Sequence, residues 1–183
     1  MNERFMSLVR PQLAAVLRTA RYLVRNSHEA DDLAQETLLR ALRAFDQYRE
    51  GTNIKSWLMA ILRNLRIDRL RAAGVRAGPI SLGDLDQDPV APVAVAELGE
   101  LAKEELESVM AGFSDQQVIA ALKDLPEEIR WTLLLVDVEQ LDLKEAAEVL
   151  EVPVGTVKSR SHRGRAMLRD KLLPLARGLR YVK

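Results

Sequence analysis

Apolar side chains in this sequence return every three or four residues, and no segment alternates strictly between apolar and polar. The pattern therefore predicts helices and no strands. A first helix is predicted from about Glu3 to Arg25, with Leu8, Leu13, Val16, Leu17, Ala20, Leu23 and Val24 on one stripe. Pro11 falls inside it and either kinks that helix or marks the first turn of a new one. A second helix opens after the capping residues Asn26 and Ser27, and Glu29, Asp31 and Asp32 complement the positive end of its dipole. Leu33, Thr37, Leu38, Ala41, Leu42 and Phe45 form its apolar face. A third helix runs from about Asn53 to Ala73 and stops at Gly74, a suitable C′ residue. Its buried stripe is Ile54, Trp57, Leu58, Ile61, Leu62, Leu65 and Leu70, whereas Lys55, Arg63, Arg66, Arg69 and Arg71 make its outer face basic.

The stretch DQYREGTN (Asp46 to Asn53) between the second and third helices is polar, turn-prone and long enough to act as a binding loop. From Arg76 to Ala96 the periodicity fades. Gly78, Pro79, Pro89 and Pro92, with Asp84, Asp86 and Asp88, mark an unstructured acidic linker, and a helix is expected again over Gly99 to Met110. Four more helices are predicted at 115–123, 126–140, 142–151 and 154–173, with Pro126 in the favoured first turn ahead of Glu127 and Glu128. The expected fold class is all-α: two small helical domains, residues 1–75 and 114–183, joined by a flexible acidic linker at 76–113.

Composition narrows the chemistry. A 48% hydrophobic share in 183 residues is enough for packed cores. The absence of cysteine excludes disulfides, thiolate metal sites and cysteine nucleophiles. His28 and His162, the only histidines, are far apart, so no metal site and no cofactor is expected. No catalytic triad, phosphate-cradling Gly loop or paired-acid site is present, and no enzyme is expected. No apolar run is long enough to span a bilayer, and Glu3 and Arg10 break up the opening MNERFMSLVRPQL, which is not expected to act as a signal peptide; a cytoplasmic protein without a membrane partner is anticipated.

The net charge of zero conceals a strong pattern. Residues 1–76 carry 14 basic and 8 acidic side chains, residues 77–112 carry 1 and 8, residues 113–153 carry 3 and 10, and residues 154–183 carry 9 and 1. Two cationic ends flank an anionic middle, which implies an anionic partner at each end. The C-terminal block has a geometry that suits one. A helix with Leu143, Ala146, Ala147 and Leu150 inward is followed by a tight turn and a second helix starting near Gly155 and Thr156, the arrangement of a helix-turn-helix. Val157, Ser161, Gly164 and Leu168 share one face of that second helix, and Lys158, Ser159, His162, Arg163 and Arg165 spread over the rest, where they are expected to enter a major groove.

With these segments in view, LPEEIRWTLLLVDVEQLDLKEAAEVLEVPVGTVKSRSHRGRAMLRDKL resembles the promoter-reading C-terminal domain of extracytoplasmic-function (group four) sigma factors. EADDLAQETLLRALRAFDQYREGTNIKSWLMAILRNLRIDRLR is similar to their first structured domain. More narrowly, REGTNIKSWL and SRSHRGRAMLR resemble the thiol-stress subgroup paired with zinc-containing anti-sigma proteins. The resemblance implies an alternative sigma factor that binds RNA polymerase core, at the clamp coiled coil of the largest subunit and at the flap region, and directs promoter-specific initiation on promoter DNA under control of an anti-sigma factor. It assigns polymerase binding to Asp32, Leu33, Gln35, Glu36, Leu39 and Arg40. It assigns minus-ten recognition and melting to Tyr48, Arg49, Thr52, Asn53, Lys55, Arg63, Asn64, Arg66 and Arg69, the last two toward phosphates. It assigns minus-thirty-five reading to Thr156, Lys158, Ser159, His162 and Arg163. Trp57 is a stacking candidate there, although its helical spacing favours a core position. Two positions depart from the family pattern: Glu151 where Gly is frequent in the turn, and Ser161 where Leu, Ile or Val is usual. A helix-turn-helix regulator that works without polymerase core, its N-terminal helices serving dimerisation, is the alternative reading.

Overall fold

The computed structural model describes residues 2–24, 26–74 and 115–180, so the linker at 76–113 and the helix expected at Gly99 to Met110 lie outside the described residues. Every regular element among the described residues is helical, in two units, one built on the N-terminal and one on the C-terminal helices.

The N-terminal unit comprises α1 (Asn2–Val9), a 3₁₀ turn (Arg10–Gln12), α2 (Leu13–Leu23), α3 (Ser27–Arg43), a second 3₁₀ turn (Phe45–Gln47) and α4 (Ile54–Ala72). Pro11 breaks the first predicted helix because it has no N–H to donate, and the chain tightens through a 3₁₀ turn before α2 resumes. That break also resets the buried face. Phe5, Val9, Ala15, Val16, Thr19, Ala20 and Leu23 point inward, while Leu13, expected on the stripe, is 39% exposed. α3 begins where Asn26 Oδ1 accepts the Glu29 N–H at 2.7 Å. Its inner residues Ala30, Ala34 and Ala41 are small, which lets it lie close against both α2 and α4. Buried Thr37 satisfies its hydroxyl by donating to the Leu33 carbonyl at 2.7 Å. Asn53 caps α4 by accepting the Lys55 N–H, and Gly74, at φ +68°, takes up the left-handed C′ position. Met59, absent from the expected stripe, is fully buried beside Leu58 and Leu62.

The C-terminal unit comprises α5 (Asp115–Lys123), α6 (Glu127–Leu133), a π turn (Leu134–Val138), α7 (Leu143–Leu150) and α8 (Val154–Arg180). Pro126 is the N-cap residue of α6, one position ahead of the expected first turn. The Arg130 guanidinium on α6 reaches back to the Lys123 and Leu125 carbonyls and satisfies the end of α5. The single helix expected over 126–140 widens into the π turn, where the Glu139 N–H donates to the Leu134 carbonyl at 2.8 Å. α8 continues beyond the expected end at 173, through Pro174, to Arg180.

Candidate nucleic-acid interface

In the C-terminal unit the helix-turn-helix is α7, a three-residue turn and α8. Asp142 caps α7 by accepting the Lys144 and Glu145 N–H groups at 2.8 Å, and the Glu145 carboxylate accepts the Asp142 N–H at 3.0 Å. This is a reciprocal capping box. α7 ends in a Schellman motif: Val152 N–H donates to the Ala147 carbonyl and Glu151 N–H to that of Glu148, with Glu151 at φ +56°. The residue standing where the family often has Gly therefore does adopt the left-handed backbone.

On α8 the two faces divide as the periodicity requires. Val157, Ser161, Gly164 and Leu168 are buried, Lys158 and Ser159 are exposed, and Thr156, His162 and Arg163 are partly exposed. Gly164 is the point of closest approach: a Cβ there would lie 2.7 Å from Ile129 Cγ2 and 3.0 Å from Leu133 Cδ1. Ser161 is buried and its Oγ has no hydrogen-bond partner among the described residues, a cost of about 1–3 kcal/mol. Arg165 corrects the expectation of an outward groove-facing side chain. It is 8% exposed and pairs with Asp137, Nη2 to Oδ1 at 2.7 Å and Nε to Oδ2 at 3.2 Å. It fastens α8 to the π turn.

In the N-terminal unit, Asp32, Gln35, Glu36, Leu39 and Arg40 recur at helical spacing along one side of α3, and Leu39 is 53% exposed. Leu33 is the correction. It sits one residue, or about 100°, around the helix from Asp32 and is fully buried, so it serves the core and not a surface contact. Leu42, expected inward, is 38% exposed instead. Glu36 and Arg40 pair with each other at 3.1 Å, Glu36 also with Arg69 at 2.8 Å, and Arg40 with Asp68 at 3.1 Å. Hydrogen bonding from Arg69 chiefly, assisted by Arg40, holds the Glu36 carboxyl below its ordinary value despite partial desolvation. Hydrogen bonding to Asp68 raises the Arg40 guanidinium above its own.

The minus-ten set divides. Arg49, Thr52, Asn53 and Asn64 are exposed, and Tyr48 and Lys55 partly so. Three others are buried or paired within the unit. Arg63 is only 5% exposed. Arg66 lies against Glu29 at 3.5 Å, and Arg69 is held by Glu36 and by the Asp32 carbonyl at 3.3 Å. These two arginines join α4 to α3. The loop is folded on itself: Tyr48 donates to the Thr52 carbonyl at 2.5 Å, Thr52 Oγ1 to that of Arg49 at 2.7 Å, and Gly51 turns the chain at φ +86°. Trp57 belongs to an aromatic cluster, its ring centroid 5.2 Å from Tyr48 and 6.5 Å from Phe45. Arg4, Phe45, Asp46 and Tyr48 line a cavity of about 290 Å³ that sequence reasoning did not anticipate, since Arg4 comes from a distant helix. Among the described residues no three His, Asp or Glu side chains converge as a metal site, and no helix is long and apolar enough to cross a membrane.

The geometry of the described residues is all-helical and includes a helix-turn-helix. Comparison with known proteins is more specific. Residues 8–76 match Sigma-70 region 2, and residues 115–168 match Sigma-70 region 4. The chain is 38% identical over 168 residues to the ECF RNA polymerase sigma factor SigE of Mycolicibacterium smegmatis, covering 90% of this chain but 60% of that protein's length. It is 35% identical over 160 residues to the ECF RNA polymerase sigma factor SigW of Bacillus subtilis, covering 84% and 80%. The fold is similar to that of the sigma factor RpoE from Bartonella quintana, solved with the anti-sigma factor NepR, at TM-score 0.69 and 23% identity over 93% of this chain and 97% of that one. The chain belongs to the ECF RNA polymerase sigma factors, alternative sigma factors that direct transcription initiation.

Proposed function

We propose that this sigma factor works in the cytoplasm, docks on polymerase core through the exposed side of α3 (Asp32, Gln35, Glu36, Leu39 and Arg40) and reads two promoter elements. The docking surface is the clamp coiled coil of the largest subunit, with the C-terminal unit on the flap region. Thr156, Lys158, Ser159, His162 and Arg163 read the minus-thirty-five element. The 46–53 loop, with Lys55 and Asn64, opens the minus-ten element, where capture of an unstacked base offsets the few kcal/mol lost on unpairing. The observation that carries this reading is the division of α8: its apolar residues are buried while Lys158 and Ser159 stand exposed on a helix opened by a three-residue turn. An anti-sigma factor holds the protein inactive. If that partner is a zinc-containing thiol sensor, the redox input enters through the partner, because this chain has no cysteine.

The test is reconstitution. Purified chain is mixed with polymerase core and a promoter library, and transcripts are mapped. Starts clustered downstream of one shared two-part sequence support the proposal; core that initiates no differently with and without the chain refutes it. Binding to a palindrome in the absence of core favours the independent regulator instead.

A further inference from the structure

We propose that α1 braces the promoter-opening loop, with Arg4 and Phe5 as positioning residues that fix where the 46–53 loop presents Tyr48 and Arg49. The inference rests on the promoter-opening reading above. It adds two residues of another helix, outside the set assigned by resemblance, that act through the loop.

The loop's own bonds set its internal shape but not its aim. Tyr48 donates to the Thr52 carbonyl and Thr52 to that of Arg49, both within the loop, and Gly51 turns the chain. With those bonds alone the segment would swing as a unit about its two ends. α1 supplies contacts from outside it. Phe5 is 5% exposed and meets Phe45 edge to face, with ring centroids 5.2 Å apart and planes at 84°. Phe45 in turn lies parallel to Tyr48, at 7° and 5.8 Å, and Tyr48 meets Trp57 of α4 at 5.2 Å. Phe45 is itself buried, so these rings face one another and make a continuous chain of contacts from α1 to α4 with Tyr48 inside it.

Arg4 holds the other half of the loop. Its guanidinium is ion-paired with Glu50, which stands between Arg49 and Gly51, and lies over the Phe45 ring, 5.8 Å from its centroid. Tyr48 is thus one contact away from α1, through Phe45, and Arg49 is one residue away, through Glu50. Pro11 ends α1 before α2 begins, so the direction of α1 is set by what its own side chains touch and not by continuation of α2. A loop already held in its working position loses less freedom when it receives the promoter strand, which lowers the barrier to opening without adding a contact to DNA.

The experiment uses holoenzyme reconstituted from core and full chain on a promoter selected from the library. It separates the rate of open-complex formation at saturating holoenzyme from the concentration that gives half that rate. Arg4→Ala and Phe5→Leu are each expected to slow opening at saturation by about two- to five-fold, with half-saturation and affinity for core unchanged. A loss of folded protein would move half-saturation instead. The Arg4 and Glu50 side chains are 53% and 76% exposed, so their exchange leaves the fold intact, which circular dichroism establishes. Arg4→Glu, Glu50→Arg and the double variant complete a cycle with wild type. Glu50→Arg alone brings a cation beside the promoter strand, so the pairing is read from the cycle: the double variant should open about three-fold faster than the two single variants combined would give. Should Phe5→Leu fail to fold, Arg4→Ala and the cycle decide alone. An opening rate unchanged in a folded variant, a cycle without coupling, or an equal loss of affinity for core overturns the proposal. If wild-type holoenzyme shows no promoter-specific initiation, the broader reading fails first and takes this one with it.

Discussion

Replacing Glu151 by glycine should stabilise the C-terminal unit, and the size of the effect follows from the backbone. Glu151 holds φ at +56°, where an L-residue with a Cβ is disfavoured by about 1–2 kcal/mol. Glycine removes that penalty but brings its own, because it has more freedom to lose on folding, roughly 0.5–1 kcal/mol. The substitution also takes a carboxylate away from the negative end of α7, a gain of about 0.3 kcal/mol at low salt. The net expectation is a gain of roughly 0.5–1 kcal/mol, or about 3–6 °C in Tm for a domain of this size. Trp131 is buried in α6, so in a Trp57→Phe background its fluorescence follows the C-terminal unit during urea or thermal unfolding. Glu151→Ala is the control, since it loses the same carboxylate and keeps the Cβ. The reasoning fails if glycine gives no gain, or if alanine gives an equal one, for then charge and not backbone geometry governs the position.

Asp137→Ala removes a carboxylate that lies 2.7 Å from the Arg165 guanidinium, in a residue only 8% exposed, and unfolding by urea should show a loss of up to about 3–5 kcal/mol, part of it recovered in the Asp137→Ala/Arg165→Met double variant. Glu36 titrates below its ordinary value of 4.5, so its pairing with Arg69 and Arg40 stabilises fully above that pH and is lost as pH falls through the lower folded value. Because the Glu36 side chain is 40% exposed, solvent screening keeps this contribution under about 1 kcal/mol; Glu36→Gln should flatten the acid limb of a stability-versus-pH curve by no more than that. Arg163→Ala should weaken binding to the upstream promoter element more than binding to random duplex, measured by anisotropy at fixed salt; equal losses on both would mean that Arg163 touches only phosphate.

Most of the architecture was legible because helices announce themselves by period and by end signals. Asn26, Asn53 and Gly74 act at helix ends as their side chains or lack of one suggest. The capping box at Asp142 has an equally local signature, an Asp followed three residues later by Glu just before an apolar run. Other features had no local signature. A stripe drawn straight across Pro11 places Leu13 inside, whereas the 3₁₀ turn rotates it outward. A basic helix face looks alike whether its arginines await a nucleic acid or a carboxylate from the next helix. Arg66 and Arg69 meet Glu29 and Glu36 across some 33–37 residues of sequence, and Arg165 meets Asp137 across 28. Only tertiary packing creates such pairs, and it overrides a reading made one helix at a time. The cavity at Asp46 was hidden for the same reason, its fourth wall being supplied by Arg4 from the start of the chain.

The missing side chain at Gly164 acts as a detent. With Ile129 and Leu133 pressed against that bare backbone, a twist or slide of α8 by one position would drive the Cβ of Arg163 or Arg165 into the same notch, which has no room for it. The angular setting of the helix is thus locked from behind, by an atom that is not there, and the fingertips it presents on the far side keep a constant aim whatever residues stand at 158, 159 and 162.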